Sequence, residues 1–186
     1  AALCKEGMRE LWDEETGMFC NRRTDTGEFS RRLSPTNFYA LFSDRVTPEQ
    51  ARRMMDEHFY NPEEFWGAYI LPTIARNDPA YPDQDYWRGR IWAPTNFLAY
   101  LAMRKQGLRT ECADLARKSR ELLLKEWREH GHVHENYNGT TGEGCDRGNS
   151  DKFYHWGGLL ALIALMDAGC AAGPEQPLQK KEEKKS

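Results

Sequence analysis

The sequence has few of the features that would mark a membrane, secreted or nucleic-acid-binding protein. No apolar run in its 186 residues approaches the roughly 18 that a membrane span needs. The longest, Trp156 to Met166, has the length of a buried helix. The first residues lack the basic-then-apolar pattern of a secretory leader. An excess of one charge is also missing: 26 Lys+Arg stand against 29 Asp+Glu, for a net charge of -3. That balance excludes the basic footprint of a nucleic-acid or anionic-membrane binder. The five cysteines (Cys4, Cys20, Cys112, Cys145, Cys170) are odd in number and contain no CxxC pair. A zinc knuckle or a disulfide scaffold is therefore not expected. Reduced structural thiols and a cytoplasmic protein are. In that setting Asn138-Gly139-Thr140 is a chance match to a glycosylation signal.

Hydrophobic residues make up only 39% of the chain, whereas aromatics reach 12% and include 6 Trp. A chain poor in aliphatics and rich in rings has either a ring-lined cleft or a ring-filled core. The length suits one domain, expected over residues 1–172, followed by a disordered Pro/Gln/Lys/Glu tail over 173–186.

Six helical stretches are expected. The first covers Leu3 to Trp12 and leads into a turn and a short extended piece, Met18 to Arg22. Ser34-Pro35 opens a helix to Ser43. Thr47-Pro48-Glu49-Gln50 reads as a capping box that opens a helix to Phe59. Pro94 starts a helix to Gln106 that Gly107 ends. Thr110 to His130 carries an apolar stripe of Cys112, Leu115, Ala116, Leu122 and Leu123. The last helix runs from His155 to Ala168. Little else suggests a sheet, so an all-α fold is expected. Two long loops remain, and their length and composition suggest a function. One, Asn61 to Tyr86, is rich in Pro and aromatics, including Trp66; the other, Gly131 to Asp151, is rich in Gly.

Three motifs carry the chemistry. Tyr86-Trp87-Arg88-Gly89-Arg90-Ile91-Trp92-Ala93-Pro94-Thr95-Asn96 collects rings, guanidinium groups and an amide. Sugar faces stack on rings, and sugar hydroxyls need fixed, forked donors and acceptors. The plainer alternative is that the tryptophans are core and Arg88 is paired with a carboxylate. His132-Val133-His134-Glu135-Asn136-Tyr137 places a carboxylate after a helix among polar and aromatic residues. Glu135 facing a cleft would deprotonate a water; the alternative is a solvated loop side chain. Phe153-Tyr154-His155-Trp156-Gly157-Gly158 permits close backbone approach at a helix start, or is simply an aromatic packing motif. Metal readings compete with these. In a reading of His132, His134 and Glu135, the two His alternate and would share one side of an extended piece, but no third strong ligand lies nearby. Asp78, Asp83 and Asp85 lack the spacing of a calcium loop. No metal and no cofactor are expected.

In this order, "YWRGRIWAPTNFLAYLAMRKQG", "HENYNGTTGEG" and "FYHWGGLLALIALMD" resemble the C-terminal half of the catalytic domain of glycoside hydrolase family 63 and the related mannosylglycerate-hydrolase-like enzymes. "LWDEETGMFCNRR", "LSPTNFYALFSDRVTPEQA" and "FWGAYILPTIARNDPAY" are similar to the segments preceding them. The resemblance covers about residues 3 to 169. It implies an (α/α)6 toroid of twelve helices, of which this chain would form about half, and hydrolysis of an α-glucosyl or α-mannosyl glycoside with inversion. Glu135 matches the general base. Trp87, Arg88, Gly89, Trp92 and Asn96 match the stretch lining the sugar subsite, and Tyr137, His155 and Trp156 match residues near it. Trp66 and Tyr86 join them as candidate substrate-binding rings. The family's general acid is an Asp in a Gly-aromatic-Asp segment that these residues do not contain; Trp12-Asp13 is only an echo of it. The expected partners are therefore a carbohydrate and either a second copy or a complementing half-domain. A non-catalytic sugar-binding remnant is the alternative, and a metal-dependent enzyme using His132, His134 and Glu135 is a third.

Overall fold

A computed structural model describes residues 2–145, 152 and 154–170. The charged tail over 173–186 and Phe153 of the third motif lie outside them. Helix α1 (Ala2–Glu10) leads into two antiparallel ribbons. Strand β1 (Trp12–Asp13) pairs with β2 (Met18–Phe19), and β3 (Asn21–Arg22) with β4 (Phe29–Ser30). The helix stops two residues short of the expected Trp12, because Trp12 and Asp13 are taken into the ribbon. There the buried Asp13 is held by Arg31 at 2.7 Å. Two-residue strands are too short to show an alternating pattern in the sequence.

The Ser34-Pro35 start opens a 3-10 helix, Pro35–Phe42, rather than an α-helix. Of its buried residues, the apolar Pro35, Phe38 and Leu41 repeat every third position, which is the side-chain alignment of a 3-10 helix; Asn37 is buried beside them. The Thr47 capping box closes as the sequence predicts, with Gln50 N–H donating to Thr47 Oγ1 at 3.1 Å and Thr47 N–H to Gln50 Oε1 at 3.0 Å. Helix α2 (Pro48–Arg53) then widens into a π-helical stretch, Met54–Phe59. Helix α3 (Ala93–Lys105) buries Ala93, Asn96, Ala99, Tyr100, Ala102 and Met103 and packs against the 3-10 helix, α4 and α5. Helix α4 (Arg109–His130) buries Cys112, Leu115, Ala116 and Leu122. Gly107 (φ 71°) and Gly131 (φ 73°) take the left-handed conformation that lets the chain leave α3 and α4. The last helix is a 3-10 turn, His155–Gly158, followed by α5 (Leu159–Asp167), which packs on α4.

Most of the core is one continuous cluster running from Met18 through Phe38, Phe59 and Tyr100 to Ile163. A second, smaller cluster of Ile91, Ala93, Leu122, Tyr137 and Leu160 lies under the three motifs. No helix among the described residues is long and apolar enough to cross a membrane.

Candidate functional site

The three motifs meet. An isolated antiparallel bridge joins the first to the second: Ile91 N–H donates to Tyr137 O at 2.7 Å and Tyr137 N–H to Ile91 O at 2.9 Å. Beside it the Arg90 guanidinium donates to Asn136 Oδ1. The third motif reaches the second at Gly157, where a Cβ would stand 2.5 Å from the carbonyl oxygen of His134. Only glycine allows that approach. The first and third motifs touch through Trp92 and Trp156, with ring centroids 5.8 Å apart.

The result is a continuous row of rings. Trp87 stacks on Trp92 at 3.9 Å and 19°, and Tyr86 meets both edge-on at 5.6 and 4.8 Å. Beyond Trp156 follow Tyr154 at 4.4 Å and then His155, stacked on Tyr154 at 5.1 Å. Trp92 is fully buried, while Tyr86 and Trp87 are each 47% exposed and present ring surface to solvent. The backbone of Tyr86 is left-handed (φ 44°) in a non-glycine residue, and its carbonyl accepts Trp92 Nε1–H at 2.8 Å. Strain of this kind costs on the order of 1–3 kcal/mol and persists only where the surroundings enforce it.

Glu135 is buried, and its chain neighbours tie it to the other motifs: Gly157 approaches the His134 backbone on one side, and Arg90 holds the Asn136 side chain on the other. It is 4% exposed, and its Oε2 has no hydrogen-bond partner among the described residues. Asn136 Nδ2 and Trp156 Nε1 are likewise buried and unpaired. One carboxylate acceptor and two donors are thus withdrawn from water and left unsatisfied within the three motifs, where buried polar atoms ordinarily find partners. Arg104 Nη1 on α3 and Ser119 Oγ on α4 are also unpaired. A single orphan therefore does not define a site; the grouping within the motifs does.

Not every predicted residue joins this group. Asn96 is fully buried, and its amide bonds only the backbone: it accepts Leu71 N–H at 2.7 Å and donates to Trp92 O at 3.1 Å. It is an internal brace for the first motif. Arg88 is exposed and pairs with Asp83 (2.8 Å) and Asp85 (2.7 Å), the alternative already open in the sequence. Trp66 packs on Phe59 and Tyr60 beside the main core, with the Lys118 ammonium 4.5 Å over its ring. Gly89 is buried, its N–H donating to Thr73 Oγ1 at 3.1 Å, and Tyr137 is fully buried under the cluster. Asp78 accepts Arg32 at 2.6 Å, so each of the three aspartates is matched to an arginine.

Sequence reasoning missed Arg76, which fastens the long loop. It donates to Tyr69 O at 2.5 Å, Trp66 O at 3.2 Å and Gly139 O at 3.1 Å, and to the Tyr81 hydroxyl. Burial lowers its pKa. An arginine in a proline-rich aromatic segment was the available signal. Glu126 of α4 was missed as well. Burial raises its carboxyl pKa, but Lys125 and the Gly144 N–H outweigh burial and hold it below the usual carboxylate value. A separate cleft of ≈ 960 Å³ is lined by Thr16, Arg32, His58, Glu64 and Asp78 among others, and holds none of the predicted site residues. Its ionic groups are already paired, among them His58 with Glu64 at 2.6 Å and Arg32 with Asp78 at 2.6 Å. None of the residues lining it carries one of the unpaired buried polar atoms.

The model of the mannosylglycerate hydrolase MGH1-like glycoside hydrolase domain matches residues 1–156. The GH63 mannosylglycerate hydrolase of Thermus thermophilus, crystallised with glucose, superposes with a TM-score of 0.69 at 26% identity, over 86% of this chain and 38% of that one. A cytosolic neutral trehalase of Kluyveromyces lactis is 31% identical over 137 residues, covering 71% of this chain and 18% of the relative. A probable mannosyl-oligosaccharide glucosidase of Schizosaccharomyces pombe is 25% identical over 167 residues, covering 82% of this chain and 20% of the relative. The chain thus spans about a fifth of these curated relatives and less than two-fifths of the solved hydrolase. The chain belongs to the MGH1-like glycoside hydrolase family.

Proposed function

We propose that these residues form the base-bearing half of an inverting α-glycosidase acting on a glucosyl or mannosyl glycoside. In this reading Glu135 is the general base. The observation that carries it is the buried carboxylate oxygen of Glu135, without a partner among the described residues, in motifs that also leave the donors of Asn136 and Trp156 unpaired. A water between that oxygen and the anomeric carbon gives up its proton to Glu135 while its oxygen attacks from the face opposite the leaving group. The exposed faces of Tyr86 and Trp87 receive the sugar ring, and Asn136 and Trp156 donate to its hydroxyls or to the water. The general acid stands across the scissile bond, about 6.5–9.5 Å from Glu135. It comes from a segment outside the 186 residues or from a second chain. An (α/α)6 toroid completed by that half would cover the apolar side chains now exposed, Leu98 on α3, Trp127 on α4 and Leu165 on α5.

The test is hydrolysis of α-glucosides and α-mannosides by the protein assembled with its complementing half, with the anomer of the released sugar followed by NMR. The expected product is the β-anomer. Glu135→Gln should lower kcat by about 10²–10⁴-fold. Release of the α-anomer would overturn inversion, and unchanged turnover by Glu135→Gln would remove Glu135 from the mechanism. Saccharide binding without any turnover would identify a carbohydrate-binding remnant instead.

A further inference from the structure

We propose a second site, for a zinc-class divalent cation, at the C-terminal end of α4, formed by Glu126, His130 and His134. Its basis is geometric and independent of the glycosidase reading. Glu126 and His130 are four residues apart and share one face of α4. The left-handed Gly131 then turns the chain back, so that His134 returns to the same carboxylate. Glu126 Oε2 lies 3.3 Å from His134 Nε2 and 3.6 Å from His130 Nε2, and one donor atom from each residue lies within 4.8 Å of the others. Four-coordinate zinc, with bonds of about 2.0–2.1 Å, places its ligand atoms roughly 3.3–3.4 Å apart. The two carboxylate-to-imidazole distances are already close to that spacing.

The surroundings fit a bound cation. The Gly144 N–H donates to Glu126 Oε2 at 2.8 Å and orients the carboxylate, as supporting partners of metal ligands do. Gly144 itself lies so close to the His134 ring that a Cβ would collide with it, which fixes the imidazole plane. Glu126 and His134 are both about 1% exposed at the side chain, whereas His130 is 41% exposed. An ion therefore enters from the His130 side and keeps a water there as fourth ligand. Lys125 occupies the other carboxylate oxygen, and its side chain, 35% exposed, is able to swing into solvent when a cation arrives. Two imidazole nitrogens with a single carboxylate select zinc or a neighbouring transition metal over calcium or magnesium, which need mostly oxygen ligands. The metal reading weighed in the sequence, and not favoured there, used His132, His134 and Glu135 instead. The observed trio differs because two of its members lie on the helix before the Gly131 turn. Occupancy would brace His134, the residue adjoining Glu135, and thereby the loop that presents it.

The test is titration of the purified, chelator-stripped full chain with zinc chloride by calorimetry, repeated with cobalt chloride and followed by absorption. The expected result is one ion per chain, a four-coordinate cobalt spectrum and a rise in Tm. His130→Ala, a substitution at a half-exposed position, and Glu126→Gln should each weaken affinity by at least the roughly 10–100-fold that loss of even a supporting partner costs. Cys170→Ser, at an exposed free thiol, should leave affinity unchanged. Absence of saturable binding, or binding that His130→Ala leaves intact, would overturn the site.

Discussion

Asn96 and Glu135 are both buried polar side chains in or beside the sequence motifs, and the structure uses them in opposite ways. Asn96 turns its amide on the backbone, bonding Leu71 and Trp92. Glu135 keeps one carboxylate oxygen without a partner among the described residues, and the same motifs leave donors of Asn136 and Trp156 unpaired. Folding alone accounts for the first arrangement. The second leaves the desolvation cost of a polar group uncompensated, which a fold tolerates where a ligand supplies the missing bonds. Burial of polar atoms therefore does not identify a site; burial without satisfaction, repeated within one cluster, does.

That contrast can be pushed from both ends. On the satisfied side, Asn96→Ala leaves the fully buried Leu71 N–H without an acceptor. It should cost about 2–3 kcal/mol in denaturant unfolding at an unchanged m-value. A loss below about 0.5 kcal/mol would mean that Asn96 is not the brace described here.

A smaller effect is expected at the buried His58–Glu64 pair. Burial pulls the His58 pKa down, but the Glu64 carboxylate, with the Thr16 carbonyl, outweighs burial and raises it above 6.5. Because the folded-state value is the higher one, the stabilisation is fully present below the unfolded-state pKa and is lost as pH rises through the folded-state pKa. Unfolding midpoints should fall as pH rises from about 6.5 through the folded-state pKa of His58 in the wild type, and this component should be absent in His58→Gln. A component unchanged by the substitution would assign the pH dependence to other groups.

Much of the helical framework is legible in the chain. Pro94 and Gly107 bracket α3, the stripe from Cys112 to Leu122 marks α4, and the Thr47–Gln50 box closes as read. The ribbons are legible in part: the extended piece expected at Met18 to Arg22 holds β2 and β3, whereas their two-residue partners β1 and β4 leave no periodic trace. The widening of α2 at Met54–Phe59 is equally hidden, because it changes which carbonyl each N–H reaches and leaves composition untouched.

At the site, the sequence identifies which segments matter better than which atoms within them. Tyr86, Trp87, Trp92, His155 and Trp156 do converge, because large rings joined by tight glycine contacts have few ways to pack. Asn96, Arg88 and Trp66 show the limit. An amide, a guanidinium or an indole reads the same in a sequence whether it meets a sugar, the backbone, a carboxylate or a lysine. The contacts of Arg76, and the return of His134 to the Glu126–His130 pair on α4, depend on chain reversals that local spacing does not reveal.

The most direct test of the contrast is the unfolding free energy of Glu135→Gln, measured by denaturant titration beside the wild type. If Glu135 is held in place for a ligand, replacing its buried carboxyl group by an amide should leave stability within about 0.5 kcal/mol of wild type or raise it. A loss of about 2 kcal/mol or more, the rough cost of breaking a satisfied buried interaction, would show that its carboxylate supports the fold, and would contradict the account.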